Sequence, residues 1–159
     1  MSVQRVVTSG TFSLDGGTWD VDNNIWLIGD DSDVVVFDAA HTAEPIIEAV
    51  GGRNVVAVIC THGHNDHITV APELGKALDA PVFLHPADEM LWRVVHPDKD
   101  FRSVEDGLVL TAGGIAAAAV VVGVVARRVL ADTAGVVADR ARVLLPRAAS
   151  QAPPIPAGA

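Results

Sequence analysis

Cysteine occurs once in 159 residues, as Cys60. A lone thiol closes no internal disulfide, which excludes the stapled secreted scaffolds and makes a reducing cytoplasm the expected compartment. Cations are scarce too: 11 Lys and Arg against 20 Asp and Glu leave a net charge of −9. Nucleic acid, which requires clustered Lys and Arg, is therefore excluded as a partner. The opening Met1-Ser2-Val3-Gln4-Arg5 lacks the basic region and apolar core of a signal peptide, so export by that route is not expected. What is present is apolar enough, at 50% hydrophobic residues, to fill the core of one globular domain.

The averages conceal a boundary near Ile115. Up to Gly114 there are 18 acidic and 6 basic side chains, and from Ile115 onward 2 acidic and 5 basic. All 6 histidines, all 3 tryptophans and all 4 phenylalanines lie before it, while the last 45 residues are dominated by Ala, Val, Arg, Pro and Gly. Residues 1–114 read as one unit and residues 115–159 as a tail, with nothing to bury after Ala149 and disorder expected there. The uncharged stretch from Leu108 to Ala126 is 19 residues long, close to a bilayer span. It opens on Thr-Ala-Gly-Gly and is mostly Ala and Val, so a membrane role is not the preferred reading, and Leu108 to Leu110 is read as a further strand.

In chain order the first unit alternates strands and helices. Val3 to Phe12 reads as a strand, Asp15-Gly16-Gly17 as a reversal, and Asn23 to Ile28 as a second strand. Asp30-Asp31-Ser32-Asp33 is a turn leading into Val34 to Asp38, apolar enough to be buried on both faces. Thr42 is placed to cap a helix through Val50, stopped by Gly51-Gly52. Val55 to Cys60 is the next buried strand, helices follow over Ala71 to Leu78 and Ala87 to Val94, and a strand over Pro81 to Leu84 lies between them. His96 to Gly107 reads as a loop. This is an α/β layered pattern, whose ligands gather at the carboxyl ends of the strands. Trp26 and Trp92 read as core or partly buried packing.

Directly after the strand ending at Cys60 comes Thr61-His62-Gly63-His64-Asn65-Asp66-His67. Three imidazoles and a carboxylate within six residues are the ligand types of a catalytic zinc, iron or manganese site. A strand tip is expected to present His62 and His64 to one side, with Asp66 and His67 following as the chain turns into a helix. His41, His85 and His96 are more simply loop and turn residues, although His41 and His85 are candidates for lining a pocket.

The heptad, with Asn24-Ile25-Trp26-Leu27-Ile28 and Val36-Phe37-Asp38 before it, resembles the metallo-β-lactamase fold superfamily, in particular its glyoxalase II-like thioesterases and lactonases. The resemblance runs from about Gln4 to Gly114. It implies the N-terminal half of a layered αβ/βα sandwich and a metal-dependent hydrolase, with two zinc ions or iron or manganese in their place. The substrate implied is a small ester, thioester or lactone, attacked by hydroxide from metal-held water. By the same analogy His62 and His64 hold a first ion, Asp66 and His67 a second, Asp66 counts as catalytic, and Asp38 orients a ligand imidazole. The family completes its site with ligands further on. Here no histidine follows His96, Gly114 stands where one ligand is expected, and Asp132 is the only echo of a bridging carboxylate. The composition after Ile115 is that of GC-rich DNA read out of frame, which suggests a chain descended from a longer hydrolase. Its alternative is an inactive remnant with a partial metal site, whose uncovered strand edge favours self-association.

Overall fold

The computed structural model describes residues 2–104 and 107–112. The chain divides into two compact units, residues 1–126 and 127–159. Everything below concerns the first; Gly114, Asp132 and the whole of the tail, residues 115–159, lie outside the described residues.

A single six-stranded sheet runs in the order β1 (Ser2–Leu14), β2 (Gly17–Gly29), β3 (Asp33–Phe37), β4 (Asn54–Ile59), β5 (Val82–Leu84), β6 (Arg102–Ser103). The first three strands pair antiparallel and β3 to β6 pair parallel. β1 and β2 form a long hairpin closed by Asp15 and Gly16, both at positive φ, the type I′ turn that matches strand twist. Between β2 and β3, Asp30 Oδ1 accepts the backbone N–H groups of Ser32 (2.8 Å) and Asp33 (2.9 Å), so the acidic run is a turn held by its own side chain. Those two N–H donors hold the Asp30 carboxyl below its ordinary pKa.

The parallel strands are linked by α1 (Glu44–Val50), then by α2 (Asn65–Ile68) with α3 (Ala71–Ala77), then by a 3₁₀ turn (Pro86–Asp88) with α4 (Glu89–Val95). Period-2 alternation divides the core by face. Ile25, Leu27, Val34, Val36, Val58 and Leu84 pack under the helices with Ile46, Leu74 and Trp92. Val35, Phe37, Ala57, Ile59 and Phe83 line the opposite face, covered by Ala112 with Leu108 and Leu110.

Four expectations are corrected. Thr42 is not a cap: α1 begins one residue later, behind Ala43 with no side-chain cap, because residues 38–42 form a loop serving the sheet edge. Leu108 to Leu110 is not a strand; these residues lie irregularly across the second face, and only Ala112 makes a bridge. The loop from His96 to Gly107 contains the two-residue strand β6. Trp26 sits on the outer face of β2 at 40% exposure, since Asn23, Ile25 and Leu27 take the inner one. Among the described residues no helix is long and apolar enough to cross a membrane.

Candidate metal centre

The parallel strands β3 and β4 end side by side, and the loops leaving them meet. Asp38 follows β3 with φ 66, a left-handed conformation that Asp tolerates better than most residues. Its backbone N–H stays on the sheet, donating to Ile59 O at 2.8 Å. Its buried carboxylate faces the neighbouring loop, where Oδ1 accepts from the Thr61 backbone N–H at 2.8 Å and from Thr61 Oγ1 at 2.9 Å. Oδ2 accepts from Nδ1 of His67 at 2.9 Å.

These bonds fix two imidazole tautomers at once. In the neutral ring, with Nδ1–H of His67 given to Asp38, Nε2 carries a lone pair; that atom lies 3.0 Å from Asn23 Nδ2 and 3.5 Å from Asp66 Oδ2. The single Thr61 hydroxyl proton goes to Asp38, so Thr61 Oγ1 accepts from Nδ1–H of His62 at 3.1 Å. His62 Nε2 is thereby left facing His64 Nδ1, 3.0 Å away. The His62 ring lies 4.7 Å from that of His64 and 4.1 Å from that of His67, centroid to centroid.

Close approach elsewhere keeps the loop in place. Gly63 N–H donates to Asp88 Oδ2 at 3.0 Å, and a Cβ there would meet Leu91 Cβ at 2.9 Å, so only glycine lets the loop pass beneath α4. His64 is not on the strand, which ends at Ile59; in extended conformation it precedes the one-turn helix α2, so it and His62 are aimed by the loop rather than by strand alternation.

Burial governs the electrostatics. It pushes the His62 imidazole down to about 4, helped by the charge of His67. In His67 burial also opposes protonation, but the hydrogen bond to Asp38 and the charges of Asp38 and Asp66 outweigh it, and its pKa is raised. His41 is lowered, chiefly by burial.

Among the described residues, Asp66 carries the one buried side-chain polar atom left unsatisfied. Oδ2 accepts from Asn23 Nδ2 at 3.0 Å, whereas Oδ1 is buried and has no hydrogen-bond donor. A buried carboxylate oxygen without a donor costs about 1–3 kcal/mol or more, and a cation removes that cost. The donor types fit zinc, iron or manganese. Ligand atoms about 2.0–2.2 Å from a tetrahedral ion stand about 3.3–3.6 Å from one another; Nε2 of His67 and Oδ2 of Asp66 meet that spacing at 3.5 Å, and Nε2 of His62 and Nδ1 of His64, at 3.0 Å, stand somewhat closer. Among the described residues, no three His, Cys, Asp or Glu side chains form a group that could hold one ion; short separations between donor atoms join His62 Nε2 to His64 Nδ1 and His67 Nε2 to Asp66 Oδ2.

Of the residues singled out from sequence, His62, His64, Asp66, His67 and Asp38 are brought together, and His41 joins through Asn23 Oδ1, which accepts from its Nε2 at 3.1 Å. His85 is exposed and turned to its own backbone, its Nδ1 accepting from Ala87 N–H at 3.2 Å. His96 is turned away as well, its Nε2 donating to Ile68 O at 2.8 Å. The roles of Asn23, Thr61 and Asp88 are not evident from the sequence. The available signal was Asn23 itself, a polar residue on the buried, otherwise apolar face of β2.

The sequence profile of the metallo-beta-lactamase superfamily matches residues 18–146, well over half of the chain, and so crosses the compositional boundary at Ile115. An 11.5 kDa protein of Rhodococcus erythropolis is 60% identical over 43 residues, 27% of this chain and 41% of its own length. The hydroxyacylglutathione hydrolase of Aliivibrio fischeri (strain MJ11) is 33% identical over 97 residues, 58% of this chain and 38% of that enzyme. Among solved structures, one described in a di-iron-bound form aligns with a TM-score of 0.48 at 27% identity, covering 55% of this chain and 51% of the other. The chain spans less than half the length of the curated relatives it matches. With the heptad between two strand ends, its donors paired, and the profile matched across both, the chain belongs to the metallo-beta-lactamase superfamily.

Proposed function

We propose that this unit holds divalent metal in two ligand pairs, His62 with His64 and Asp66 with His67, and serves hydrolysis of an ester, thioester or lactone. The observation that carries the reading is Asp66 Oδ1, a buried carboxylate oxygen with no hydrogen-bond donor, on a side chain whose other oxygen lies 3.5 Å from Nε2 of His67. The thioester class is favoured by the likeness to hydroxyacylglutathione hydrolases. Zinc is the expected metal, with iron and manganese as alternatives that the same donors accept.

Metal bound there supplies water of lowered pKa and an electrophile for the acyl oxygen. The protein's own part is to present the donors in the right protonation state. Asp38 holds the Nδ1 proton of His67, and through the Thr61 hydroxyl that of His62, so both Nε2 atoms offer lone pairs. Asn23 restrains Asp66 Oδ2 and leaves Oδ1 free.

A second reading has its own observation: among the described residues no three candidate ligands form one group, and no histidine follows His96. In that reading the chain takes up metal without turnover. Zinc-loaded protein offered a panel of thioesters, aryl esters and lactones separates the two. Hydrolysis above the buffer rate, lost with chelator and in His64→Ala, supports the hydrolase; zinc uptake with no turnover supports the inactive chain. Absence of both overturns the site.

A further inference from the structure

We propose that Asn65 is a positioning residue that latches the β1–β2 hairpin to the histidine loop and, through Phe12, sets the ring of His64. The inference rests on the reading of His64 as a metal ligand.

Asn65 opens α2, one residue after His64. Its side-chain Oδ1 accepts from the backbone N–H of Ser13 at 3.0 Å, and its Nδ2 donates to the backbone carbonyl of Thr11 at 2.9 Å. Among the described residues β1 is an edge strand of the sheet, and one of its two long edges has no strand partner there. In an antiparallel hairpin alternate residues direct both N–H and C=O away from the partner strand, and Thr11 and Ser13 share one parity. The primary amide of Asn65 supplies one donor and one acceptor side by side, as a peptide group does, and so makes a single rung of β ladder with that edge. A carboxylate, an alcohol or an alkyl group cannot make both bonds.

Between the two gripped residues lies Phe12, whose direction the latch therefore fixes. The Phe12 ring meets the His64 imidazole edge-on, centroids 5.3 Å apart at 61°. On its other side it stacks on Trp19 from the facing strand, at 5.9 Å and 29°. Asn65, Thr11, Phe12, Ser13 and His64 thus form a closed circuit of covalent and noncovalent links. His64 is held between Phe12 and Nε2 of His62. Asp38 sets His62 and His67, but no polar partner outside the cluster holds His64 among the described residues, and the hairpin performs that task. The heptad residue between His64 and Asp66 is then part of the site without touching a metal.

The test uses the full chain, first free of metal. Amide hydrogen exchange at Ser13 is expected to be slow in the unsubstituted protein and at least tenfold faster in Asn65→Ala, with the amides of β3 and β4 unchanged. Asn65→Asp keeps the acceptor for Ser13 and serves as the milder variant: protection at Ser13 is largely retained while the bond to Thr11 is lost. In the NMR spectrum the His64 ring protons carry the ring-current shift of Phe12, so Phe12→Leu and Asn65→Ala move them in the same direction. Cobalt titrated into Asn65→Ala is expected to bind three- to tenfold more weakly than in the unsubstituted chain. Unchanged Ser13 exchange, or His64 ring protons that shift in Phe12→Leu and not in Asn65→Ala, would overturn the latch. If the unsubstituted chain takes up no cobalt, the metal reading falls, while the two metal-free readouts still decide the latch.

Discussion

Asp38 and His67 are joined by a hydrogen bond of 2.9 Å from Nδ1 to Oδ2, and the same carboxylate binds the Thr61 hydroxyl that accepts from His62. One buried anion therefore sets the proton positions of two imidazoles on two sides of the cluster. Asp38→Asn keeps the shape but removes the charge and one acceptor. It is expected to fold and to bind zinc about 10–100-fold more weakly, as read by competition with a chromophoric chelator. Unchanged affinity would show that Asp38 does not orient the donors.

Acid stability of the metal-free protein follows from His62. Burial, then the charge of His67, lower its pKa from 6.5 to about 4. Because the folded value lies below the unfolded one, the unfolded chain binds more protons in that window, and stability is lost as pH falls from 6.5 toward 4. The full difference is about 3 kcal/mol. His67 runs the opposite way: its pKa is raised, so its stabilising contribution is complete below the unfolded value and is lost as pH rises through the folded one. His62→Gln, followed by urea midpoints in chelator, should lose clearly less stability across the acid window. An identical acid limb in both proteins would refute the assignment.

Trp92 anchors α4. The helix exposes Met90 and Val94 but buries Trp92 completely, against His96 and Phe101, with its Nε1–H given to Lys99 O at 2.8 Å. Trp92→Ala is expected to cost about 3–5 kcal/mol. Trp92→Phe is expected to cost less, about 1 kcal/mol, since Lys99 O loses one of its two donors and keeps Arg93 Nη1 at 2.9 Å. Equilibrium urea denaturation measures both, and a loss below 1 kcal/mol in Trp92→Ala would contradict the packing.

The sequence was most legible where apolar periodicity and turn chemistry agree. Val34 to Phe37 and Val55 to Ile59 announce buried parallel strands, and both faces of the first are indeed covered. Asp15-Gly16 announces the hairpin. The heptad names its own chemistry, because four ligand-type residues in six have no cheaper use. The parts that stayed hidden depend on contacts across the chain. Asn23 is 43 residues from Asp66, and Asn65 is 52 from Ser13; no local pattern couples such pairs. Helix α2 is a single turn, too short for periodicity to show, and Thr42 has the composition of a cap although its segment belongs to a loop with His41 at φ 60. The site was thus readable as a list of donors and unreadable as a network.

Cys60 directly follows β4, just ahead of the heptad, and is buried; burial, then the charge of Asp38, raise its thiol pKa well above the ordinary value. The folded protein is therefore expected to resist iodoacetamide at pH 8, where an exposed thiol of ordinary pKa reacts readily, and to be labelled on addition of denaturant. Mass spectrometry of the labelled fraction reads the outcome. Rapid labelling of the native protein would mean that the loop after β4 opens.

The central claim is that His62, His64, Asp66 and His67 hold metal, with Asp66 Oδ1 awaiting a cation. Zinc bound per chain, measured after equilibrium dialysis of the unsubstituted protein and of Asp66→Ala, tests it most directly. The unsubstituted chain is expected to retain about two ions per chain, as the two ligand pairs imply, and Asp66→Ala to lose at least one while keeping its fold by circular dichroism. Equal zinc in both proteins, or none in either, would contradict the account.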